Sequence, residues 1–295
     1  MRNKFLLCGL VFLFLISIVS TNANQDAIKV SMLEDSSVIN ATNTENFSEE
    51  KIDVIVNFKE KIDENLLKEN DVEVKKNLDS IDVSTVKASV EAIEEIQKDS
   101  NVESVELDLD LELFGNGESI LLEDQILPWG IERVGASNSW IKATGKNVKI
   151  AVIDSGVNKN HPDLKRNVVG GVSFVNSSEY WEDDLGHGTS VAGVISALDN
   201  DLGVVGVAPE SEIYSVKVIG LSGGKLSNFI QGIQWAIDND MDVVVMSLGI
   251  PVDSPSLRKI VDEAYLNGIV LVAGSGKNNE IYYPAKYSSV IRWVL

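Results

Sequence analysis

The sequence predicts an α/β fold with a doubly wound parallel sheet, preceded by a small α+β domain of ferredoxin-like type. Two observations support this division. Before Pro128 the apolar residues alternate with polar ones, as in strands with one face in water. After Pro128 the strand-like runs are almost continuously apolar and are separated by helical patterns, which is typical of a parallel sheet covered on both faces.

The first domain is predicted over residues 51–113. The stretch DVIVNF (53–58) alternates as a half-buried strand, and ENLLKEN (64–70) predicts a short helix. Two strands are expected within residues 73–87, and VELDLDLEL (105–113) alternates strictly as a last strand. With a second helix before that last strand, the order strand, helix, strand, strand, helix, strand predicts the ferredoxin-like arrangement.

The second helix of this domain is predicted to begin after Ser89, a residue type that caps helix N-termini well. Val90, Ile93 and Ile96 then share one helical face, which is expected to be buried. The domain contains no histidine or cysteine. Its predicted role is therefore binding or folding rather than catalysis.

Three near-continuous apolar runs predict strands of the parallel sheet. They are VKIAVID (148–154), VVVMSL (243–248) and IVLVAG (269–274). The amphipathic stretch LSNFIQGIQWAIDND (226–240) predicts one of the connecting helices. In such a sheet the active site forms beyond the carboxyl ends of the strands. The polar residues that end these runs are therefore the first candidates for chemistry.

Charge is distributed unevenly along the 295 residues, whose formal net charge is −20. Residues 24–123 carry 9 Lys and Arg against 26 Asp and Glu, whereas residues 124–295 carry 14 against 19. Nucleic-acid binding needs clusters of Lys and Arg, which this sequence lacks, so no nucleic acid partner is expected. Residues 24–50 are polar and are predicted to be disordered.

The first 23 residues have the pattern of a secretory signal peptide. Arg2 and Lys4 precede an apolar run over residues 5–20, and Thr21-Asn22-Ala23 offers small residues for cleavage. The alternative is an uncleaved membrane anchor, for which the run is short. We therefore expect a secreted, extracellular protein without a stable membrane anchor after signal cleavage. Its only cysteine, Cys8, lies in the signal, so no disulfide is expected in the mature chain.

Asp154 and His187 are the strongest candidates for catalysis. Asp154 ends the run VKIAVID, and Ser155-Gly156 turns the chain after it. His187 lies 33 residues later within GHGTSVAG (186–193), between two glycines and before a predicted helix. A carboxylate that faces an imidazole holds its tautomer and stabilises its charged form. An aspartate after a buried strand is often only structural, whereas the histidine motif constrains backbone and packing together.

Both motifs, in the order aspartate then histidine on a parallel sheet, resemble those of the subtilisin-like serine proteases, peptidase family S8. The resemblance extends from Gln125 to Ile291 through the segments QILPWGIERVGA, SGVNKNHPDLK, GVVGVAPESEIYSVKV and YPAKYSSVI. It implies the subtilisin-type three-layer αβα fold, incomplete here, over residues 124–295. It also implies a secreted serine endopeptidase that is made as a zymogen and acts on polypeptide substrates.

The resemblance implies roles for individual residues. Asp154 and His187 become two members of an Asp-His-Ser triad. Gly223 and Gly224 lie where one side of the substrate cleft runs in the family. The opposite side is expected to bind an extended substrate through the main chain of Ser247, Leu248 and Gly249.

By the same resemblance, a calcium site is expected near the start of the peptidase segment. One carboxylate, two amide side chains and three main-chain carbonyls form a set of hard oxygen ligands that suits Ca²⁺. Taken alone, LDNDLGV (198–204) is an ordinary polar loop. The implied side-chain ligands are Gln125, Asp163 and Asn200, and the implied carbonyls are those of Leu198, Leu202 and Val204.

Two departures from the family concern catalysis itself. The nucleophile motif G-T-S-M-A occurs nowhere in residues 1–295. The chain is therefore expected to be C-terminally truncated and, without the serine, inactive as given. In AGSGK (273–277), Lys277 stands where the family has its oxyanion-hole asparagine, unless the loop shifts to Asn278. Arg292–Leu295 are predicted to be frameshifted readout of a longer gene.

The acidic segment over residues 24–123 matches the family's propeptide, with residues 51–113 as its core. In the family this domain is an intramolecular chaperone and inhibitor, so the chain's own propeptide is an expected partner. Three hypotheses remain open. The first is a calcium-dependent endopeptidase represented by an incomplete copy, and the second is a non-catalytic secreted inhibitor or folding chaperone of a related protease. In the third, a separately encoded C-terminal piece supplies the serine.

Overall fold

The computed structural model describes residues 51–115, 124–175, 180–277 and 280–293. The chain divides into two compact units, Met1–Asp108 and Leu109–Leu295. The predicted signal peptide and the polar segment over residues 24–50 lie outside the described residues. Within the described ranges, no helix is both long and apolar enough to span a membrane.

The first unit is a four-stranded antiparallel sheet with two helices. In chain order its elements are β1 (Ile52–Phe58), α1 (Glu64–Glu69), β2 (Glu73–Leu78), β3 (Val83–Ala88), α2 (Val90–Ile96) and β4 (Val102–Leu107). The strands lie in the order β2-β3-β1-β4, and each neighbouring pair is antiparallel. The observed order agrees with the predicted ferredoxin-like arrangement.

One apolar core holds the first unit together. Alternate residues of β1 are buried in the same cluster as Ile93 and Ile96 of α2. Burial of each such side chain contributes about 1.5–3 kcal/mol to folding. The α2 helix begins where the sequence predicts, because the Ser89 hydroxyl accepts the Ala92 N–H at 3.2 Å.

The prediction of a single strand over residues 105–113 is wrong. β4 ends at Leu107, and Glu112–Leu113 forms a separate strand, β5, in the second unit. There β5 pairs antiparallel with β10 (Leu248–Gly249). A period of two identifies extended backbone but not the sheet edge to which it hydrogen-bonds, so one uninterrupted pattern spans two strands. Residues 109–115 therefore pack with the second unit.

The second unit is built on a six-stranded parallel sheet. Its strands are β6 (Lys149–Asp154), β7 (Val168–Ser173), β8 (Glu212–Lys217), β9 (Val243–Met246), β11 (Val270–Gly274) and β12 (Ile291–Trp293). They lie in the order β12-β11-β9-β6-β8-β7, and every neighbouring pair is parallel. The first strand of the sheet, β6, has later strands on both sides, which confirms the doubly wound topology.

Helices cover both faces of this sheet. They are α3 (Trp129–Arg133), α4 (Ala136–Ser139), α5 (His187–Ser196), α6 (Leu226–Asp238) and α7 (Pro255–Leu266). Ala192 of α5 packs with Ile150 and Val152 of β6 on one face. Gly232 of α6 faces Ile153, which follows Val152 in the strand and so points to the opposite face. The three-layer αβα arrangement is therefore confirmed.

Alanine substitutions at two helix glycines should have opposite effects on stability. Alanine favours a helix over glycine by about 1 kcal/mol. No atom lies within 4 Å of a Cβ added at Gly193 of α5, so Gly193→Ala should raise the free energy of unfolding by about 0.5–1 kcal/mol. At Gly232 a Cβ would lie 2.8 Å from Val218 Cγ1, so Gly232→Ala should lower it by about 1–2 kcal/mol. Urea unfolding of the full chain measures both changes, and equal shifts would contradict the close packing of α6.

Candidate active site

Asp154 and His187 form a buried hydrogen-bonded pair. Asp154 is the last residue of β6, and His187 is the first residue of α5. Asp154 Oδ1 lies 2.7 Å from His187 Nδ1 and also accepts the Ser155 N–H at 2.6 Å. Asp154 is 0% exposed and His187 is 5% exposed. The structure thus brings together the two residues that the sequence predicts as catalytic partners.

Glycines on either side of His187 make this approach possible. Gly186, the N-cap of α5, has a φ of +79°, in the left-handed region that glycine adopts without strain. Gly188 leaves no room for a Cβ, which would collide with the Gly156 carbonyl oxygen and lie 3.1 Å from Asp154 Cβ. The G-H-G sequence therefore reflects the close approach of two backbone segments, with the ring turned toward the carboxylate.

A second carboxylate, Asp183, organises the start of α5. It accepts hydrogen bonds from the N–H groups of Leu185, Gly186 and Thr189 and from the Thr189 hydroxyl. The Ser155 hydroxyl donates to Asp183 at 2.8 Å and accepts the N–H of the residue after His187 at 2.9 Å. Sequence reasoning missed this residue. The sequence feature that could have identified Asp183 is its position just before a helix start, where unpaired N–H groups favour a hydrogen-bond acceptor.

Burial and pairing act together on these ionisable groups. Burial raises the pKa of Asp154, and the hydrogen bond and charge of His187 offset part of that rise. Burial alone would lower the pKa of His187, but the hydrogen bond and charge of Asp154 outweigh it, and the pKa is raised above its ordinary 6.5. Burial would raise the pKa of Asp183, yet hydrogen bonds from Thr189 and Ser155 hold it below its usual value.

The second ring nitrogen of His187 contacts a main-chain carbonyl. Nε2 lies 2.8 Å from the oxygen of Phe114. A carbonyl oxygen only accepts, so Nε2 carries a hydrogen in this contact while Nδ1 faces the Asp154 carboxylate. Both ring nitrogens then donate, which is the imidazolium form that the raised pKa of His187 favours.

Residues 109–114 lie as an extended strand along this site. The N–H of Leu111 donates to the Gly224 carbonyl at 2.9 Å, and the N–H of Phe114 donates to the Ser247 carbonyl at 2.8 Å. Between these contacts β5 pairs antiparallel with β10. The residues expected to bind an extended substrate thus contact a segment of the chain itself through Ser247, Leu248 and Gly249.

The Phe114 side chain fills an apolar pocket and is only 2% exposed. Its ring meets that of Tyr282 edge to face, with centroids 5.3 Å apart. Two glycines make the pocket deep enough. A Cβ at Gly249 would lie 3.2 Å from the Phe114 ring, and a Cβ at Gly274 would lie 2.9 Å from the same ring and 3.1 Å from Trp293.

Lys277 lies at the edge of the same cleft. Its Nζ is 3.4 Å from Glu112 Oε2, and both side chains are about two-fifths exposed. Glu112 lies two residues before Phe114, so the Lys277 ammonium forms an ion pair with a side chain of the cleft-bound segment. The oxyanion role of Lys277 stays a prediction.

The three implied side-chain ligands of calcium, Gln125, Asp163 and Asn200, contact one another or one loop. Gln125 Oε1 accepts the N–H groups of Asn200 and Asp201 at 2.6 and 2.9 Å. Asn200 Nδ2 donates to Asp163 Oδ1 at 3.0 Å, and Asp163 Oδ2 accepts the Val204 N–H at 2.8 Å. The Gln125 amide oxygen and the Asp163 carboxylate therefore both contact the segment over residues 198–204 by accepting its N–H groups. This donor chemistry fits a hard cation such as Ca²⁺.

Comparison with known proteins identifies the relatives of this chain. The Peptidase_S8 model of the subtilase family matches residues 145–292. Subtilisin E of Bacillus subtilis (strain 168) is 41% identical over 235 residues, which are 77% of this chain and 59% of that protein. Subtilisin DY of Bacillus licheniformis is 48% identical over 175 residues, or 57% of this chain and 63% of that protein. Minor extracellular protease Epr of Bacillus subtilis (strain 168) is 38% identical over 252 residues, which are 81% of this chain and 38% of that protein.

This chain spans between 38% and 63% of the length of these relatives. The similarity to Epr and to subtilisin E extends over more than three quarters of this chain. The family match by itself includes Asp154 with its strand β6 and His187 with its helix α5.

Replacement of Asp154 by asparagine should lower the pKa of His187. The carboxylate stabilises the imidazolium, so without it the ring loses its proton at lower pH. Because the pKa of His187 is raised in the fold, protonation of His187 contributes stability that is fully present below about pH 6.5 and is lost as pH rises through the folded pKa. NMR titration of the imidazole measures the shift, and His161→Gln assigns the signals because the chain has 2 histidines.

Asp240→Asn is the matched control for this titration. It removes the same charge at an exposed position of the same unit and should leave the His187 midpoint unchanged. A midpoint that moves equally in both variants would contradict the role given to Asp154.

Proposed function

The chain belongs to the subtilase family, and from this membership we propose that it is the zymogen of a secreted, calcium-dependent serine endopeptidase. The observation that carries the proposal is the placement of Phe114. Its ring fills an apolar pocket while its carbonyl oxygen lies 2.8 Å from His187 Nε2. A peptide in this position places the bond after its anchored residue beside His187, the base that a serine nucleophile requires.

Each residue of the site has a defined task in this mechanism. His187 Nε2 takes the proton of an attacking serine hydroxyl and then delivers it to the leaving amine. Asp154 accepts the Nδ1–H and stabilises the imidazolium that forms. Asp183 and Ser155 link the start of α5 to the turn after Asp154, which keeps the pair in contact. The nucleophile is the one group of the triad without a recognised motif in residues 1–295.

Residues 24–123 are proposed as the propeptide, with residues 51–113 as its core and residues 109–114 as the inhibitory segment. Main-chain hydrogen bonds to Gly224 and Ser247 hold this segment, and such bonds are available to any extended peptide. The segment therefore competes with polypeptide substrates for the same cleft. This competition is the basis for proposing that the enzyme is made in a self-inhibited form.

Secretion is proposed from the pattern of residues 1–23. A basic start, an apolar run and small residues follow one another as in a cleaved export signal. The name of one relative, minor extracellular protease Epr, agrees with this localisation. An exported chain without a disulfide needs another source of stability, which the calcium site offers.

Calcium should stabilise the full chain through the loop around Asp163. At a calcium concentration 100-fold above Kd, the gain in the free energy of unfolding is about 2.7 kcal/mol. Asp163→Asn removes the one carboxylate among the implied ligands and should abolish most of that gain. Thermal unfolding with calcium and with chelator measures it, and Asp240→Asn should keep the full response. An equal melting temperature with calcium and with chelator would contradict the site.

Catalysis is tested first at the coding sequence. Reading the nucleotide sequence beyond the Ile291 codon should reveal a G-T-S-M-A motif in the same or a shifted frame.

The protein extended through that motif should hydrolyse peptides with phenylalanine before the cleaved bond, whereas residues 1–295 alone should not. In the extended protein His187→Ala should cost about 10⁶ in kcat and Asp154→Ala about 3 × 10⁴, the values measured in subtilisin itself. His161→Gln is the control and should retain activity.

The absence of such a motif in every frame would contradict the enzyme hypothesis. The occupied cleft then favours the second candidate, a secreted inhibitor or folding chaperone of a related protease. In that case residues 24–123, added to an active subtilisin, should inhibit it at stoichiometric concentration. Residues 24–123 with Phe114→Asp are the control, because a carboxylate is costly to bury in the apolar pocket and this variant should inhibit much more weakly.

A further inference from the structure

Two lysines form ion pairs with the cleft-bound segment. Lys225 Nζ lies 2.7 Å from Asp110 Oδ1, and Lys277 Nζ lies 3.4 Å from Glu112 Oε2. The Tyr282 hydroxyl donates to the same Glu112 oxygen at 3.4 Å. Asp110 and Glu112 are the 2 acidic residues of the segment LDLELF (109–114), so each of its carboxylates faces a lysine.

The strand geometry explains why these two carboxylates are the ones recognised. Side chains two residues apart in an extended strand project to the same side. The main-chain hydrogen bonds of Leu111 and Phe114 fix the register of the segment in the cleft. Any peptide bound with its aromatic anchor at the position of Phe114 therefore presents its third and fifth residues, counted back from the cleaved bond, to Lys277 and Lys225.

We propose that Lys225 and Lys277 are specificity-determining residues, which make the cleft select acidic peptides with carboxylates at the third and fifth residues before the cleaved bond. The proposal rests on the proposed endopeptidase function, because it assumes that substrates bind as residues 109–114 do. The peptidase segment carries 14 Lys and Arg against 19 Asp and Glu, so its net charge repels an acidic peptide. The two lysines provide local positive charge where the peptide lies.

Both ion pairs are exposed to solvent: the side-chain exposure is 44% for Lys225 and 83% for Asp110, and 40% for Lys277 and 42% for Glu112. Each pair is therefore worth a factor of about two to five in affinity, and together about tenfold. Their contribution should fall with ionic strength. The apolar pocket and the main-chain bonds supply binding, and the lysines supply discrimination between peptides.

Hydrogen exchange in the full chain tests the contacts within the molecule. The reporters are the amides of Leu111 and Phe114, whose hydrogen bonds join the segment to the cleft. Lys277→Glu should accelerate their exchange about threefold to tenfold, and so should Glu112→Lys. The double charge swap should restore the parent rate within about twofold. Lys142→Glu makes the same change of net charge at an exposed position and should have no effect.

The outcomes separate this proposal from the function on which it rests. If the amides are protected in the parent chain but the charge reversals do not change their exchange rates, the assignment of the lysines is wrong and the occupied cleft still stands. The same conclusion follows if the double charge swap does not restore the parent rate. Parent amides that exchange as in an unstructured peptide would overturn the occupied cleft, and with it both proposals.

Peptide binding tests the substrate class directly. In the full chain, Phe114→Asp removes the aromatic anchor of the internal segment and opens the cleft to added peptide. Fluorescein-labelled LDLELF should then bind about tenfold more tightly than labelled LNLQLF at low salt, as measured by anisotropy. Adding Lys225→Glu and Lys277→Glu should abolish or reverse this preference. Equal Kd values for the two peptides in the Phe114→Asp chain would overturn the proposal.

Discussion

The contact between Asp154 and His187 is the constraint on which the rest of the second unit depends. A carboxylate buried at the end of β6 is costly unless a cation or donor faces it, and its Oδ2 has no hydrogen-bond partner in the described part of the chain. The imidazole supplies the missing charge at 2.7 Å. Helix α5 must therefore begin at this point. The left-handed backbone at position 186 favours glycine, and the close approach to the turn after Asp154 demands glycine at position 188.

Asp183 keeps this geometry fixed while the pair changes its protonation. It binds the first turn of α5 and the Ser155 hydroxyl at once, so the helix start and the strand end move as one body. Burial alone would raise the pKa of Asp183, but these donors hold it below its usual value. Asp183 therefore stays anionic over the pH range in which His187 titrates. A fixed frame with one stable charge lets His187 gain and lose its Nε2 proton without rearrangement of the pair.

Most of the fold and the central pair could be predicted from sequence because their signals are local. Apolar runs such as VKIAVID and the glycines around His187 constrain short stretches of backbone directly. The Asp183 network could not be predicted in the same way, since an aspartate before a helix is common and its partners are set by the tertiary turn. The prediction of a single strand over residues 105–113 was wrong for a related reason. Alternation is satisfied equally by either sheet, and only the register of hydrogen bonds assigns Glu112 to the second unit.

In the proposed zymogen, residues 109–114 would prevent His187 from acting as a base by a hydrogen bond as well as by steric exclusion. Burial lowers the pKa of His187, and Asp154 and then the Phe114 carbonyl raise it. The hydrogen on Nε2 that binds this carbonyl occupies the lone pair a base would use. Departure of the segment removes the carbonyl acceptor from Nε2, so this nitrogen can exchange its hydrogen with another partner. In the proposed zymogen, one movement would thus open the cleft and free His187 Nε2 together.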